Sequence, residues 1–443
     1  MRRFFRSFLW PCSTVCLCFG QSSPPLLTLS DAVALAHKQN AQIQISSLDV
    51  SKAVEETNQL KTQRLPVFKV YANVGESLLP INLTIPKGAL GVYPATGPIP
   101  AQDSPIKTAR QITGVIFGTA TQPISQLFKI SLGLKEARVT EELAREKERQ
   151  QMQDTTQQVK QAYYQLTQIQ SEIASAEVNL QYLNELSAYV DRNLAQETVL
   201  KSDSLNVKAK LSQQRFQLVT LHDRLDTQKE SLNRLLGRDL RAAFTTEAEP
   251  PPSNDEVSLE AAQTKALEQR PEIRQALLKM QKAALEVRRE HAEYLPDLSA
   301  QLSYVSFPNL NFLPKNVLLA GITFEWQPLD WGQKRHKMSE LQSSSKQAVL
   351  TEHDAQQQIL LDVNASYRKL SEARALLAVD AATQELEREK LRVLTNQYRE
   401  KAALLTDVLQ EQSALAQADA QYRQDLESVW TAKAAFDRAL GEQ

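Results

Sequence analysis

The sequence predicts a mainly helical fold with a small β part, in which long helical hairpins and four strands occur in two related halves. Glycine is scarce, at 12 of 443 residues, against an average of about 7% in proteins. Proline is missing between Pro123 and Pro250 and again after Pro328, and both stretches are rich in good helix formers. The third observation is an internal sequence repeat, which indicates a duplicated architecture.

Composition and charge exclude several classes of protein. The 51 Lys and Arg residues balance 52 Asp and Glu, for a net charge of −1, whereas a nucleic-acid binder carries a basic excess. The apolar content of 42% is too high for a disordered chain. Few glycines also argue against a glycine-rich α/β enzyme.

Residues 1–20 have the pattern of a signal peptide. Arg2, Arg3 and Arg6 precede an apolar stretch from Phe8 to Phe19, and small residues allow cleavage before Gln21. A membrane anchor is an alternative, but the apolar stretch has only 12 residues and a spanning helix needs about 20.

Every cysteine of the chain lies inside this segment, at Cys12, Cys16 and Cys18. The exported chain would therefore have no disulfide. Lipidation at Cys16 or Cys18 is a further alternative, although neither follows the small residue that a lipoprotein signal uses.

Two very long helical stretches carry narrow apolar seams. In the first, apolar residues recur every three or four positions, at Tyr163, Leu166, Ile169, Ile173, Ala176, Leu180 and Leu183; in the second, the same spacing begins at Ile359, Val363, Tyr367 and Leu370. We predict that the chain reverses near Glu197–Lys201 and near Lys401–Leu405, each just before a good helix start. Shorter helices are predicted over 29–64 and 259–294.

The repeat relates the two halves by fixed shifts. At a shift of 230, Leu29, Ala32 and Ala36 recur as Leu259, Ala262 and Ala266; at a shift of 204, Asp203 recurs as Asp407 and Leu236-Gly237 as Leu440-Gly441. We predict a first structural repeat over 21–240, a proline-rich linker over 241–256 and a second repeat over 257–443.

Each half also holds two segments that alternate apolar and polar residues, as strands do. The predicted lipid-facing residues are Leu302, Tyr304, Ile322, Phe324 and Trp326, and in the first half the return strand is predicted over 107–122. The alternative is an ordinary half-buried hairpin on a soluble protein. Four strands cannot close a membrane barrel, so spanning strands would require several copies. Residues 76–106 would form a long external loop.

The sequence offers no catalytic, cofactor or metal site. His37, His222, His291, His336 and His353 are scattered and form no metal-binding pair. There is no glycine-rich phosphate loop and no serine nucleophile elbow.

The order and spacing of several short motifs resemble the TolC-like outer-membrane efflux proteins. The motifs are Leu-Thr-Leu-Ser-Asp-Ala (27–32), Val-Ser-Leu-Glu-Ala-Ala (257–262), Gln-Arg-Pro-Glu-Ile (269–273), the two Leu-Pro breaks, Gln-Pro-Leu-Asp-Trp-Gly-Gln (327–333) and Ala-Leu-Gly (439–441). The resemblance implies a homotrimer in the outer membrane, with a 12-stranded β-barrel in lipid and a periplasmic α-barrel. It further implies the exit duct of a tripartite exporter, whose partners are a periplasmic adaptor (membrane fusion) protein and an inner-membrane pump.

The same resemblance implies a gate at the helix reversals, formed by Asp203, Asp407 and Tyr398. It places adaptor contacts at the helix tips, at Glu197, Lys401, Ala402, Ala403 and Leu404. The chain departs from the family pattern, because Glu197 and Lys401 replace turn glycines and Gln410 replaces a second constricting aspartate. An alternative for both aspartates is a first-turn residue stabilised by the helix dipole.

A non-spanning periplasmic coiled-coil scaffold or adaptor-like protein is the alternative function. The hairpins distinguish the two, because a duct places Leu302, Ile322 and Phe324 in lipid and a scaffold does not.

Overall fold

The computed structural model describes residues 25–76, 78–108, 112–197, 199–247, 257–308, 314–400 and 402–442. The predicted signal peptide, Lys401 and most of the predicted linker lie outside these residues. The described chain divides into two compact units, each drawing segments from both halves of the sequence. The hairpin unit comprises 25–40, 155–247 and 369–435, and the sheet unit comprises 41–154, 257–368 and 436–442.

Helices make up most of the described chain, which confirms the predicted fold class. They are α1 (Leu29–Gln39), α2 (Ala41–Thr62), α3 (Gln126–Ala195), α4 (Lys201–Leu235), α5 (Leu259–Gln269), α6 (Pro271–Ala292), α7 (Gln333–Arg399) and α8 (Leu405–Ala439). The 70 residues of α3 correspond to roughly 105 Å at 1.5 Å per residue. α5 and α6 match α1 and α2 in length, and α8 matches α4, at the shifts seen in the sequence.

The predicted segments over 29–64 and 259–294 are helical, but each is interrupted at one residue. Asn40 and Arg270 have extended backbones, with ψ of 128° and 130°, and each caps the preceding helix. Pro271 disfavours a helical conformation for the residue before it, which explains the second break. At the first break, the Asn40 side chain donates a hydrogen bond to the carbonyl oxygen of Leu235 at 2.7 Å.

Each break receives the end of a long helix. Gly237 follows α4 with φ of +70°, and a Cβ there would overlap the carbonyl oxygen of Gln39. Gly441 follows α8 with φ of +84°, and a Cβ there would lie 3.0 Å from the carbonyl carbon of Gln269. The repeated Leu-Gly therefore closes each half against its own helix break.

The strands form one main sheet and three small ones. They are β1 (Leu26–Leu27), β2 (Val67–Glu76), β3 (Ile81–Ile85), β4 (Val92–Tyr93), β5 (Gly97–Pro98), β6 (Ser104–Thr108), β7 (Ile112–Pro123), β8 (Thr245–Thr246), β9 (Asp297–Ser306) and β10 (Asn316–Glu325). The main sheet is antiparallel with the order β10-β9-β7-β2, so the predicted four strands are confirmed.

The predicted return strand over 107–122 is wrong at its start. Residues 104–108 form β6, which pairs with β3 in a separate two-stranded sheet, and the long strand β7 starts at Ile112. The predicted external loop over 76–106 thus contains strands of its own, because its apolar residues alternate around tight turns.

The core of the hairpin unit follows the predicted seam. Tyr163, Leu166, Ile169, Ile173, Ala176 and Leu183 are all buried. The hydroxyl of Tyr163 lies 3.0 Å from the carbonyl oxygens of Leu27 and Glu247, next to the parallel pair of β1 and β8. Tyr164 of α3 stacks on Trp430 of α8, with ring centroids 5.1 Å apart.

Candidate functional site at the helix reversals

The first reversal falls where the sequence predicted it. α3 ends at Ala195 and α4 begins at Lys201. Glu197 in the turn has φ of +55°, in the left-handed region that favours glycine. Its backbone N–H donates to the carbonyl oxygen of Leu194 at 3.0 Å. Glu197 therefore keeps a glycine-like backbone without being glycine.

The second reversal also lies at its predicted place, between the end of α7 at Arg399 and the start of α8 at Leu405. The backbone N–H of Ala402 donates to the carbonyl oxygen of Gln397 at 2.8 Å. Ala403 is half-buried, and Lys401 lies outside the described residues.

Both predicted gate aspartates cap a helix. A carboxylate oxygen of Asp203 accepts the backbone N–H of Leu200 at 3.3 Å, and one of Asp407 accepts that of Leu404 at 3.3 Å. This is the side-chain-to-N-cap half of a capping box, with the negative charge at the positive end of the helix. Both aspartates thus occupy the stabilising first-turn position.

An apolar cluster joins the ends of the two long hairpins. It consists of Leu183, Leu186, Val190, Val207, Leu211, Leu405 and Leu409. Its residues come from α3, α4 and α8, so both reversals pack on the same cluster. The tips of the two hairpins therefore support each other through this shared apolar cluster.

Tyr398 extends from α7 onto this cluster. Its ring meets Tyr189 of α3 edge-on, with centroids 5.9 Å apart. Its hydroxyl is buried and has no hydrogen-bond partner among the described residues. Burial, with smaller contributions from Tyr189 and the charge of Asp203, raises the pKa of Tyr398 above its usual value. Of the three predicted gate residues, Tyr398 thus lies on the cluster shared by the two tips, and the charge of Asp203 acts on it.

A polar link between α3 and α4 was not predicted from the sequence. Asp191 accepts hydrogen bonds from Ser204 at 2.7 Å and from Lys208 at 3.1 Å. These bonds, chiefly that of Ser204, lower the pKa of Asp191. The only sequence signal is that Ser204 and Lys208 are four residues apart and so share a helix face.

The tips expose one leucine each. Leu404 is 68% exposed, and Leu200, at the equivalent position of the first reversal, is 69% exposed. Leu404 was predicted as a contact residue and Leu200 was missed, although the shift of 204 relates them. Each tip therefore exposes one leucine side chain at the residue before its second helix.

One face of the main sheet is mostly apolar, whereas the other combines polar residues with apolar ones such as Tyr71 and Leu319. Pairing aligns Val70 with Gly118, Gly118 with Tyr304, and Tyr304 with Leu318. The same face carries Phe68, Leu302, Ile322 and Phe324, all of them exposed. Trp326, also exposed, follows the end of β10. The opposite face is mixed and includes Lys69, Asn73, Gln301, Thr323 and Glu325.

Among the described residues, none of the helices combines the length and apolarity that a membrane-spanning helix requires. Within the same residues, no group of three or more His, Asp or Glu side chains is arranged to hold a metal ion. His37 instead bonds to Thr156, with 2.7 Å between Nε2 and the hydroxyl oxygen.

The long hairpins, their reversals and the four-stranded sheet occur in a known protein family. The outer membrane efflux protein family matches residues 32–238 and 263–442, one match in each half. The chain belongs to the outer membrane efflux protein family. The comparison with curated proteins returns no match.

Solved structures share the fold of this efflux protein. The outer membrane protein VceC from Vibrio cholerae has a TM-score of 0.75 at 15% identity, covering 94% of this chain and 96% of that one. The Campylobacter jejuni CmeC outer membrane channel has a TM-score of 0.76 at 14% identity, covering 93% and 85%. A membrane protein from Pseudomonas aeruginosa has a TM-score of 0.76 at 15% identity, covering 93% of each.

Proposed function

We propose that this efflux protein is one subunit of a homotrimeric exit duct, which crosses the outer membrane and extends into the periplasm as a tunnel of helices. The observation that supports it most is the main sheet, with one apolar exposed face and with β2 and β10 at its two edges. In lipid, each unpaired backbone group costs several kcal/mol, so the edges require a second copy. Three copies supply twelve strands, and the smallest membrane barrels need about eight.

The long helices support the same assembly. Exposed apolar residues on α7 recur at Leu376, Val379, Leu386 and Val393, which is coiled-coil spacing. On α4, Phe216 and Val219 are exposed as well. We infer that these seams are covered by the neighbouring subunits of the trimer, which would close the helical tunnel.

The assembly is tested by the mass of the detergent-purified protein and by its behaviour in planar bilayers. We expect three chains per particle and stepwise ion conductance. A monomer that inserts no channels, recovered from the periplasm without detergent, would contradict the duct and favour the scaffold alternative.

We further propose that Asp203 and Asp407 form rings at the periplasmic entrance and that Tyr398 helps to hold it closed. The contact between the two tips supports this, because Tyr398 of one hairpin lies against α3 of the other. A ring of three carboxylates favours cations. Asp407→Asn keeps a capping oxygen but removes the charge, so we expect weaker block by multivalent cations with an intact trimer. Unchanged block would rule out the role of Asp407.

The tips are also the proposed contact with a periplasmic adaptor, through which the duct would work with an inner-membrane pump. The exposed Leu404, with its neighbours Ala402, Ala403 and Lys401, and Glu197 of the other tip form this region. Leu404→Glu should abolish export by cells while single-channel conductance stays normal. Normal export would contradict the contact.

A further inference from the structure

The seam inside the second long hairpin carries paired acids. We define hairpin 1 as α3 with α4, and hairpin 2 as α7 with α8. We propose that hairpin 2 binds protons at two carboxyl pairs in its packing seam, so that it packs tightly when they are protonated and loosens when they ionise. This goes beyond the proposed duct and applies to the folded chain whether or not the duct conducts.

The first pair is located by comparison with hairpin 1. There, Ala176 of α3 and Leu221 of α4 belong to one buried apolar cluster. At the shift of 204, their equivalents are Asp380 of α7 and Asp425 of α8. The position that is filled by an apolar contact in hairpin 1 is therefore filled by two carboxyl groups in hairpin 2.

The second pair repeats this substitution nearer the tip. Leu183 and Val207 of hairpin 1 lie together in the apolar cluster of the tips. Their equivalents in hairpin 2 are Glu387 and Glu411. Two acidic pairs thus replace two apolar pairs along the same seam.

The first pair combines a buried carboxyl group with a buried carboxyl oxygen that lacks a donor within the described chain. Asp425 is 5% exposed and accepts one hydrogen bond, from the side-chain amide of Gln421 at 3.0 Å. The Oδ2 atom of Asp380 is buried and has no donor among the described residues. A proton held between the two carboxyl groups would satisfy it. The hydrogen bond with Asp425, then burial and the Asp425 charge, raise the pKa of Asp380 to about 6.

The second pair behaves in the same way. The Oε1 atom of Glu411 is buried, again without a partner in the described part of the chain. The hydrogen bond between Glu411 and Glu387 raises the pKa of Glu411 and lowers that of Glu387. The ammonium group of Lys390 also donates a hydrogen bond to Glu387 at 2.7 Å, which lowers the pKa of Glu387 further. Of the two carboxyl groups, that of Glu411 therefore binds a proton more readily.

The charged side chains of the neighbouring cavity have partners of their own. A cavity of 270 Å³ between the hairpins is lined by Glu172, Asp419 and Arg423. Glu172 pairs with Arg224 of α4 at 3.7 Å, Arg388 of α7 lies 3.9 Å from Asp419, and Arg423 donates to Ser175 of α3. Lys390 is the cation that acts on the second pair, and the acid that acts on Asp380 is Asp425.

The raised pKa of Asp380 determines whether hairpin 2 packs more tightly at low or at high pH. The packed hairpin binds the proton more tightly than the loosened one, so packing is strongest below the ordinary pKa of an aspartate. It weakens as the pH rises through about 6. Each pKa unit corresponds to about a tenfold change in the packing equilibrium. Because Asp380 is partly exposed, we expect a total change of about tenfold.

Hydrogen exchange of the full-length purified protein tests the proposal. After correction for the intrinsic exchange rate, protection of hairpin 2 around 380–390 and 411–425 should fall about tenfold between pH 5 and pH 7.5 relative to hairpin 1 around 176–186 and 207–221. The double variant Asp380→Ala/Asp425→Leu copies the pair of hairpin 1 and should lose most of this difference. Glu385→Gln, an exposed residue of α7 outside the seam, is the control and should retain it.

Two results would overturn the proposal. The first is a wild-type protein whose two hairpins change protection in parallel with pH. The second is a double variant that folds and still shows the full difference. Channel conductance is recorded separately, so failure of the duct would not be mistaken for failure of the proton-binding seam.

Discussion

Individual glycines in this chain differ in what surrounds them. Gly237 has a left-handed backbone, and its α-carbon faces the carbonyl group of Gln39. Gly133, inside α3, has no neighbouring atom within 4 Å of an added Cβ. The scarcity of glycine therefore does not imply that each one is required; contact and φ decide that.

Gly237→Ala should destabilise the folded protein by at least about 2 kcal/mol, because the new methyl group meets backbone atoms and the left-handed φ penalises alanine. Gly133→Ala is the matched control and should stabilise by up to about 1 kcal/mol, since alanine favours the helix. Thermal unfolding of the two variants measures both. Equal effects would contradict the docking of Gly237 on the α1–α2 break.

Glu197→Gly should stabilise the first reversal by about 0.5–1 kcal/mol, because glycine adopts the observed φ of +55° without steric cost. Gln196→Gly next to it should destabilise slightly, since Gln196 does not have a positive φ. The midpoint of thermal unfolding compares the two. A loss of stability in Glu197→Gly would mean that the glutamate side chain supports the turn.

At the scale of elements, charged side chains tie four helices of the sheet unit together. Arg270, only 4% exposed, pairs with Glu272 of α6 at 2.8 Å and with Asp362 of α7 at 3.2 Å. Arg438 of α8 joins Glu272 to Asp154 of α3, at 2.7 Å to each. Ion pairs at the start of α6 therefore connect this helix to α3, α7 and α8.

Arg270→Gln should destabilise the protein by about 3 kcal/mol, because it removes a buried guanidinium group that pairs with both Glu272 and Asp362. Arg145→Gln removes an exposed pair with Glu141 and should cost less than about 0.5 kcal/mol. Chemical unfolding at neutral pH measures the difference. Similar costs would mean that the network is as weak as a surface pair.

The same network gives the sheet unit a pH dependence. Burial alone would raise the pKa of Glu272, but the hydrogen bond and charge of Arg270, with the charge of Arg438, lower it overall. This stabilisation is present above the ordinary pKa of a glutamate and is lost as the pH falls through the lowered value. Acid should thus destabilise the sheet unit, whereas it should tighten the packing of hairpin 2. Hydrogen exchange measures protection in each region separately and so distinguishes the two effects.

At the scale of the whole molecule, the proposed trimer makes opposite demands on the two faces of the main sheet. Leu318 and Leu319 are adjacent on β10 and are 66% and 59% exposed. Leu318 pairs with Tyr304 on the apolar face and Leu319 with Ser303 on the mixed face. In the proposed duct, the first face contacts lipid and the second faces the pore.

Leu318→Asp should reduce the amount of membrane-inserted trimer, corresponding to roughly 1–2 kcal/mol for a charge in lipid away from the midplane. Leu319→Asp should be tolerated, because a pore-facing carboxylate stays in water. The yield of trimer in outer-membrane fractions compares them. Equal yields would contradict the assignment of faces.

Local sequence signals predicted much of this architecture. The seam from Tyr163 to Leu183 and the apolar face of Leu302 and Ile322 lie where periodicity placed them. Both reversals lie where the helix-start residues after them placed them. The breaks at Asn40 and Arg270 were not predicted, although Pro271 directly follows the second. The start of β7 was also misplaced, because a short strand before it continues the same alternation.

The sequence by itself determined the elements, their repetition and the face each strand presents, because these depend on residues a few positions apart. Only the tertiary structure decided that Gly237 meets Gln39, that Tyr398 lies against Tyr189, and that Asp380 and Asp425 share a seam. Those partners are tens to hundreds of residues apart, and no local pattern specifies which distant side chain a folded helix will meet. Their chemistry arises from packing, since burial and a close neighbour, rather than residue type, set what each group does.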